Sequence, residues 1–413
     1  MRIALAPRIG GRLTRGPAAF LALAALVLAP RAGAAQGSLS GQGFGYPTGQ
    51  LSARALGTGG ALGEFDPQSA LNPQGVGAWR GAGLFFQYEP EFRTVTDGSG
   101  SDRTTTSRFP LLAGALPVRE RFAVGVSVST LLDRTFETRS FREDTIGVDP
   151  VAIPVTVIER DRSEGAINDV RVAGSFAATS SLRLGLGLHA ITGENRRTIF
   201  NEFDRVEGSV DTTDVEVVRV RSQRAFSYGG RAVSAGFEWQ PTRALAVAAS
   251  GRVGGDLHVR VGDTTLADAG VPSRVGGGVR FDGITGASIA ARVDWQEWSA
   301  MRGISDRVPI RDALEYGIGA DVVGPRIGTN PILVRVGGRF RDLPFAVRRF
   351  SEDGVATAHE VSEVTFSGGL GFLLASNRAM LDFAVQRASR TASGADELDE
   401  SAWLLSFGLR IRP

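Results

Sequence analysis

The sequence predicts an all-β fold class: an antiparallel transmembrane β-barrel of about fourteen strands, with a partly helical hatch inside its lumen. Three observations lead to this prediction. From Gly81 onward, apolar and polar residues alternate in one segment after another. The connections between those segments alternate between short turns and long charged stretches. A Gly-rich stretch at residues 53–79, which has no such alternation, precedes them.

Residues 1–34 have the features of a secretory signal peptide. Several Arg residues precede an apolar run at residues 18–29, and Ala32-Gly33-Ala34 supplies small residues for cleavage. The alternative is a transmembrane anchor, but this run is shorter than the roughly 18 residues that a spanning helix needs. We therefore expect export from the cytoplasm and removal of this signal peptide.

The composition agrees with an exported β-rich protein. The 413 residues include 54 Gly and no Cys, which excludes disulfides and thiol chemistry. All 46 basic residues are Arg, and five of them fall within residues 1–34, where there is no acidic residue. The remaining 41 basic and 44 acidic residues nearly balance, which argues against a nucleic-acid partner.

The stretch at residues 53–79 predicts a plug for the lumen. It is rich in Gly, contains a turn at Asn72-Pro73, and is followed by one hairpin after another. A small folded segment can fill the interior of a closed barrel. We therefore predict a hatch over residues 35–80 and the barrel over residues 81–413.

The segment at residues 182–190 has the clearest strand pattern. Four Leu residues lie on one face, and Arg183, two Gly residues and His189 lie on the other. A soluble β-sandwich alternates in the same way, so this pattern alone does not distinguish the two folds. The predicted strands are at approximately 83–91, 108–116, 122–131, 169–177, 182–191, 226–239, 245–253, 273–281, 287–298, 313–322, 332–341, 364–372, 380–388 and 402–412.

The connections between the strands favour the barrel. Six are short, at 117–121, 178–181, 240–243, 283–286, 324–330 and 375–378. Seven are long and charged, at 94–107, 133–168, 194–224, 256–272, 299–312, 342–360 and 392–400. Short turns at one rim and long loops at the other are typical of outer-membrane barrels.

The face expected to line the lumen carries many charges, which an apolar core could not accept unpaired. These residues are Arg171, Arg183, Arg252, Arg280, Arg292, Asp294, Glu315, Asp321, Arg335, Arg339, Asp382 and Arg410. Aromatic residues near the strand ends suit the girdles at the two membrane interfaces, with core packing as the alternative. They are Tyr88, Trp239, Trp295, Trp298 and Trp403.

The predicted hatch resembles the N-terminal signature of the FadL-type outer-membrane transporters of hydrophobic compounds, which PorV-like barrels largely share. The residues that carry the resemblance are Gly57, Gly59, Gly60, Ser69, Asn72, Pro73 and Gly75. Thr58, Asp66-Pro67 and Gln74 depart from the usual signature. In layout the resemblance extends over the chain beyond the signal peptide, whereas the motif itself lies within residues 53–79.

The resemblance implies passive transport of hydrophobic small molecules, such as long-chain fatty acids or aromatic hydrocarbons, across the bacterial outer membrane. In that family the ligand leaves sideways into the membrane. The implied partners are a hydrophobic ligand and outer-membrane lipid, and a monomer is expected. The alternative is a PorV-like scaffold or shuttle for secreted proteins, for which the long polar stretches at 133–168 and 194–224 would provide a surface.

No residue pattern in the sequence predicts catalysis. His189, His258 and His359 are far apart, and each lacks a second metal ligand at a suitable spacing. A Ser or Asp of the lumen could pair with a His in an outer-membrane hydrolase, but the sequence does not identify a nucleophile. The Gly-rich run that begins at Gly57 is no dinucleotide loop, because Leu62 takes the third Gly position. We expect a protein that is not an enzyme and has no cofactor or metal.

Overall fold

A computed structural model describes residues 43–412, apart from 98–99, 147–152, 206–218, 305–308, 329, 351–355, 376–377 and 393–398. The predicted signal peptide and the first eight residues of the predicted hatch lie outside this part of the chain. No helix among the described residues is long and apolar enough to cross a membrane.

The described chain begins with a short helical segment and continues almost entirely as strands. Helix α1 is Ala53–Gly57, and two 3-10 helices are Pro73–Ala78 and Trp298–Ile304. The strands are β1 (Gly83–Asp97), β2 (Gly100–Arg119), β3 (Phe122–Asp133), β4 (Phe136–Ile146), β5 (Ile153–Ala177), β6 (Leu182–Arg205), β7 (Arg219–Thr242), β8 (Leu245–Val261), β9 (Thr264–Gly270), β10 (Arg274–Ile284), β11 (Ala287–Gln296), β12 (Ala313–Ile327), β13 (Asn330–Phe350), β14 (Ala356–Leu374), β15 (Ala379–Ala392) and β16 (Asp399–Ile411).

Fourteen of these strands form one closed antiparallel barrel. Each barrel strand pairs with the next one along the chain, β8 pairs with β10, and β16 returns to pair with β1. The other two strands extend hairpins beyond the barrel: β4 pairs with β5, and β9 pairs with β8. The predicted fold class and strand number are therefore confirmed.

The two faces of the barrel wall differ as the alternation predicts. On the outer face, Leu186 and Phe366 are each 70% exposed, and many other large apolar side chains are exposed around the barrel. On the inner face, Arg335 is 2% and Asp382 is 0% exposed. So large an apolar outer surface is compatible with lipid rather than with water, which makes this a membrane barrel.

The charged residues predicted to line the lumen do face inward. Nine of the twelve are buried: Arg171, Arg252, Arg292, Asp294, Glu315, Asp321, Arg335, Arg339 and Asp382. The other three, Arg183, Arg280 and Arg410, are half-buried and lie near the short turns.

Two expectations from the sequence are wrong. The stretches at 94–107, 133–168, 194–224, 256–272 and 342–360 are not loops throughout, because β4, β9 and the ends of β1, β2, β5 to β8, β13 and β14 run through them. Charged residues follow one another directly on these extensions, as at residues 159–162 of β5, so the extensions have no apolar side that would face lipid. In addition, Trp298 is not part of an interfacial girdle. It lies in a 3-10 helix and is buried, and its ring meets Phe44 edge to face at 6.0 Å.

A charge placed on the outer face should reveal where the membrane lies. We expect Leu186→Arg to lower the free energy of unfolding in phospholipid vesicles by about 2–4 kcal/mol, because this position lies midway up the apolar band. The matched control is Val220→Arg on the extension of β7, where the loss should be about 0–1 kcal/mol. Equal losses in guanidinium titrations of the two variants would contradict this placement of the membrane.

Candidate functional site

Residues 44–79, called the inner segment below, pack against the inner face of the barrel. Ser52 caps helix α1 by accepting a hydrogen bond from the Ala55 amide at 3.2 Å. Asp66 accepts hydrogen bonds from the hydroxyls of Ser52, at 2.5 Å, and Ser69, at 2.9 Å. Asp66, a departure from the usual signature, thus joins the two halves of the segment, and Ser69 is one of its donors.

The predicted glycines Gly57, Gly59 and Gly60 lie on the side of the inner segment that faces β12, β13 and β14. Gly59 and Gly60 have positive φ values of 64° and 80°, a conformation that favours Gly. A Cβ at Gly59 would also lie 2.6 Å from the backbone nitrogen of Gly338 on β13. These glycines therefore allow the backbone of the segment to approach the backbone of the wall.

The Asn72-Pro73 turn lies on the opposite side, against β6, β7 and β8. The Asn72 side chain donates to the carbonyl of Phe237 at 3.2 Å and accepts from the Gln74 amide at 3.2 Å. Pro73 begins the first 3-10 helix, and a Cβ at Gly75 would lie 3.3 Å from the Cα of Pro67. Asn72 thus fastens the turn to the wall, while Gly75 allows the segment to fold closely on itself.

The predicted motif residues consequently form two contact edges of one segment and not a single pocket. The sequence interpretation missed the wall glycines that receive the segment. The Cβ that a side chain would add at Gly317 or Gly319 on β12, or at Gly337 on β13, would collide with the backbone at residues 58–61. Their signal was visible, because Gly317 and Gly319 occupy successive inward positions of one strand.

Ion pairs hold the inner segment to the wall from both sides. Glu64 pairs with Arg274 of β10, which also lies 2.5 Å from Asp294 of β11. Arg54 lies 3.0 Å from Asp321 of β12. These carboxylates and guanidiniums come from distant parts of the chain. The pairs of Arg274 with Glu64 and Asp294 satisfy charges that the closed barrel removes from water, whereas the Arg54 side chain stays partly exposed.

Tyr46 is the centre of a second network, called the Tyr46 belt below. Its hydroxyl donates to Glu363 at 2.8 Å and accepts from Arg390 at 2.9 Å. Three guanidinium carbons, of Arg390, Arg341 and Arg108, stand 4.6, 4.8 and 5.2 Å from the ring centroid. Burial raises the pKa of Tyr46 to about 12, so the phenol keeps its proton at neutral pH.

Arg390, which lies on β15, connects the belt to three other strands of the wall. Its guanidinium lies 2.9 Å from Glu91 of β1 and 2.7 Å from Glu363 of β14, and it also pairs with Glu400 of β16. Each of these side chains is 0% exposed. The belt therefore forms a polar floor across this side of the lumen.

An apolar cluster occupies the lumen on the side of the belt that faces the long hairpins. Its most deeply buried members include Phe44, Trp298, Met301 and Phe345, all of which are at most 1% exposed, and Tyr46 of the belt packs against the same cluster. The cluster also includes Leu131 and Leu132 of β3. The barrel thus contains a continuous apolar region next to its charged floor.

The wall is interrupted beside this apolar cluster. Pairing between β2 and β3 ends at Leu111 and Ser129, and beyond that point β2 pairs only with β1 in the described part of the chain. Strand β3 bulges after Thr130 and turns inward, where Asp133 and Tyr46 exchange backbone hydrogen bonds of 2.7 and 2.9 Å. An ion pair between Arg108 and Asp133 bridges the foot of this break.

One group of residues on the inner wall has the hydrogen-bond order of a catalytic triad. His189 lies 2.8 Å from Asp169 on one ring nitrogen and 2.8 Å from the hydroxyl of Ser234 on the other. Asp169 also accepts from Arg252 at 3.0 Å and from Gln50 at 3.1 Å, so its charge is shared. Ser234 is buried, and Gly187 lies so near that a Cβ added to it would be 2.5 Å from the Ser234 hydroxyl. These contacts bind the inner segment to β5, β6 and β7.

The other two histidines lie apart from this group. His258 on the β8–β9 hairpin lies 2.6 Å from Asp268, not from its sequence neighbour Asp256, and His359 lies on β14 near Thr357. Among the described residues there is no group of three or more His, Cys, Asp or Glu side chains that could hold a metal ion.

Two solved structures have a similar architecture. The crystal structure of a Pseudomonas aeruginosa FadL homologue aligns with a TM-score of 0.56 and 12% identity, over 89% of this chain and 99% of that one. The chain has a FadL-type barrel fold. The CymD monoaromatic hydrocarbon channel aligns with a TM-score of 0.50 and 12% identity, over 88% of this chain and 97% of that one. No protein-family model matches the sequence, and neither does any curated protein.

The contact of Asn72 with the wall of this FadL-type barrel can be tested by replacing a wall glycine. A Cβ at Gly236 of β7 would lie 2.9 Å from the Cβ of Ser250 and would collide with the Asn72 side chain. We expect Gly236→Leu to displace the turn and to raise hydrogen exchange at residues 72–78 about tenfold or more. The control is Gly174→Leu, since a Cβ at Gly174 has no neighbour within 4 Å. Equal exchange in the two variants would contradict the assigned contact.

The hydroxyl of Tyr46 can be removed while its ring stays in place. Tyr46→Phe should lower the free energy of unfolding by about 1–3 kcal/mol, because Glu363 and Arg390 each lose a buried hydrogen-bond partner. Tyr88→Phe is the control, since the Tyr88 hydroxyl makes an exposed contact of 3.2 Å with Ser107. Guanidinium titrations of both variants in detergent micelles give the comparison, and equal stability losses would show that the belt does not depend on this hydroxyl.

Proposed function

We propose that this protein is a passive outer-membrane channel for hydrophobic small molecules. The observation that carries the proposal is the apolar cluster, which reaches a break in the barrel wall through Leu131 and Leu132. An apolar molecule that enters from the side of the long hairpins would meet this cluster first. Transfer into it is favourable because apolar surface leaves water.

The route that fits this geometry is lateral. The Tyr46 belt and the inner segment lie between the apolar cluster and the short turns, and a hydrophobic ligand that crossed them would have to separate buried ion pairs. Breaking one such pair costs about 3–5 kcal/mol. An exit between β2 and β3 separates no strand ladder beyond Leu111 and Ser129, and the ion pair that it meets is that of Arg108 with Asp133 at the foot of the break. The exposed side chain of Phe109 on β2 lies beside it. We therefore propose that the ligand leaves into the membrane at this level.

The proposed ligands are long-chain fatty acids or aromatic hydrocarbons. The named function of the CymD structure, a monoaromatic hydrocarbon channel, supports the second class. Outer-membrane lipid would receive the ligand, and one chain is sufficient because a single barrel contains both the apolar cluster and the break. Catalysis is not part of the proposal, since the Ser234 hydroxyl lies buried within a structural network.

In this proposal residues 35–80 are the hatch, and Asn72 and Pro73 keep its shape. The support for this role is the set of contacts that the inner segment makes with both sides of the wall. The scaffold alternative gains no comparable support, because the stretches that suggested a docking surface are largely extended hairpins of the barrel strands.

Closing the break should stop transport. The chain has no Cys, so a pair introduced as Arg108→Cys with Asp133→Cys can be joined specifically by a short bismaleimide. We expect proteoliposomes with this variant to take up labelled toluene or oleate before cross-linking, and to lose at least about nine-tenths of that uptake afterwards. The physical reason is that the linker spans the two side chains that meet at the foot of the break.

The control pair lies on the intact wall. Leu112 and Val128 are direct partners across β2 and β3, so joining Leu112→Cys to Val128→Cys should leave uptake unchanged. Uptake that survives cross-linking at the break would contradict a lateral exit there. The transport proposal fails if the unmodified protein takes up no apolar compound. The proposed role of the hatch fails if Asn72→Ala has no effect on uptake.

A further inference from the structure

A cavity of about 400 Å³ lies at the opposite end of the lumen, between the inner segment and the short turns. We infer that this cavity, called the basic vestibule below, binds small organic carboxylates that have a compact apolar body. It is separate from the apolar cluster and the wall break, so the inference goes beyond the proposed transport function. Its volume falls within the range of small-molecule sites in proteins.

The charge of the basic vestibule is strongly unbalanced. Six arginines line it, with Glu238 as the one carboxylate: Arg54, Arg80, Arg183, Arg280, Arg410 and Arg412. They come from the inner segment and from strands β6, β10 and β16, or from the chain just beside them. Like charges at such close quarters repel one another, and an anion in their midst would relieve that repulsion.

Half of these arginines already have carboxylate partners. Arg54 lies 3.0 Å from Asp321, Arg183 lies 2.8 Å from Glu238, and Arg280 lies 2.9 Å from Asp282. Glu238 also accepts a hydrogen bond from Gln74 at 3.1 Å, so the one acidic group of the lining is fully engaged. These pairs hold the vestibule in shape and leave its remaining charge uncompensated.

The other three guanidiniums, of Arg80, Arg410 and Arg412, have no carboxylate within salt-bridge distance among the residues that the structure describes. The hydrogen-bond acceptor of Arg410 is the thioether sulfur of Met380, at 3.3 Å, which is a weak acceptor. The Nε atom of Arg412 is buried and has no acceptor in the described part of the chain. Arg410 and Arg412 occupy successive inward positions at the end of β16, so both can turn toward one bound anion.

The residues that line the vestibule also favour a ligand with an apolar part next to its carboxylate. Phe65, Pro67, Ala78 and Leu373 form an apolar side of the same cavity. The guanidinium of Arg280 stands 5.0 Å above the centre of the Phe65 ring, so an aromatic side chain adjoins the charges of the lining. A carboxylate offers the planar pair of oxygens that guanidinium groups bind best, and a small ring or short chain would cover the apolar side. Inorganic phosphate would satisfy only the first of these requirements.

The test measures binding of 4-fluorobenzoate to the full-length protein in detergent micelles by fluorine NMR. We expect saturable binding that Arg410→Gln combined with Arg412→Gln weakens at least tenfold, because two charge-assisted contacts are lost. The control is Arg119→Gln with Arg121→Gln, which removes the same charge from exposed positions at the same rim. An unchanged circular dichroism spectrum shows that each variant keeps its barrel.

Three results would overturn the binding of a carboxylate at this cavity. These are the absence of saturable binding, equal weakening by the two double variants, and binding of the uncharged 4-fluorobenzamide as tight as that of the carboxylate. Competition by inorganic phosphate at the same concentration as unlabelled benzoate would likewise refute the need for an apolar body. None of these results depends on uptake of neutral hydrocarbons, so failure here and failure of the transport proposal can be told apart.

Discussion

The pairing of buried arginines with buried carboxylates is the interaction on which the rest of this structure depends. A closed barrel turns one face of every strand inward, and here that face carries charges that have left water. A buried pair contributes little net stability, but removal of one partner is strongly destabilising. Arg390 illustrates the consequence, because its carboxylate partners on β1, β14 and β16 must all be in register before the guanidinium is satisfied. The pairs therefore specify how the barrel and its contents fit together.

The inner segment follows from the same constraint. Its two edges reach the wall by different means: backbone approaches glycines on one side, and Asn72 bonds to a strand carbonyl on the other. Ion pairs from Glu64 and Arg54 add fixed points between them. A segment held in so many places has one position in the lumen, and the lumen is thereby divided into an apolar end and a basic end.

The interruption of the wall depends on the inner segment as well. A strand that leaves a sheet exposes backbone groups that need new partners. Asp133 finds them in the backbone of Tyr46, and the Arg108 side chain crosses to the Asp133 carboxylate. The same tyrosine anchors the belt, so the residue that allows β3 to turn inward also builds the polar floor beneath the apolar cluster.

The sequence predicted the strands, about fourteen of them, and the inward set of charges, because a period of two residues is a local property that any strand displays. It predicted the closed membrane barrel through the alternation of short turns with long charged stretches. It also singled out the stretch that contacts the wall, through Gly and Asn72-Pro73. Which charges pair depends on the three-dimensional fold, since Arg390 and Glu91 are 299 residues apart in the chain. The fold also places Trp298 inside the barrel and His189 between Asp169 and Ser234. Six arginines line the cavity near the short turns. Closure of the sheet brings together side chains that are far apart in the sequence. A local sequence pattern therefore cannot predict these contacts.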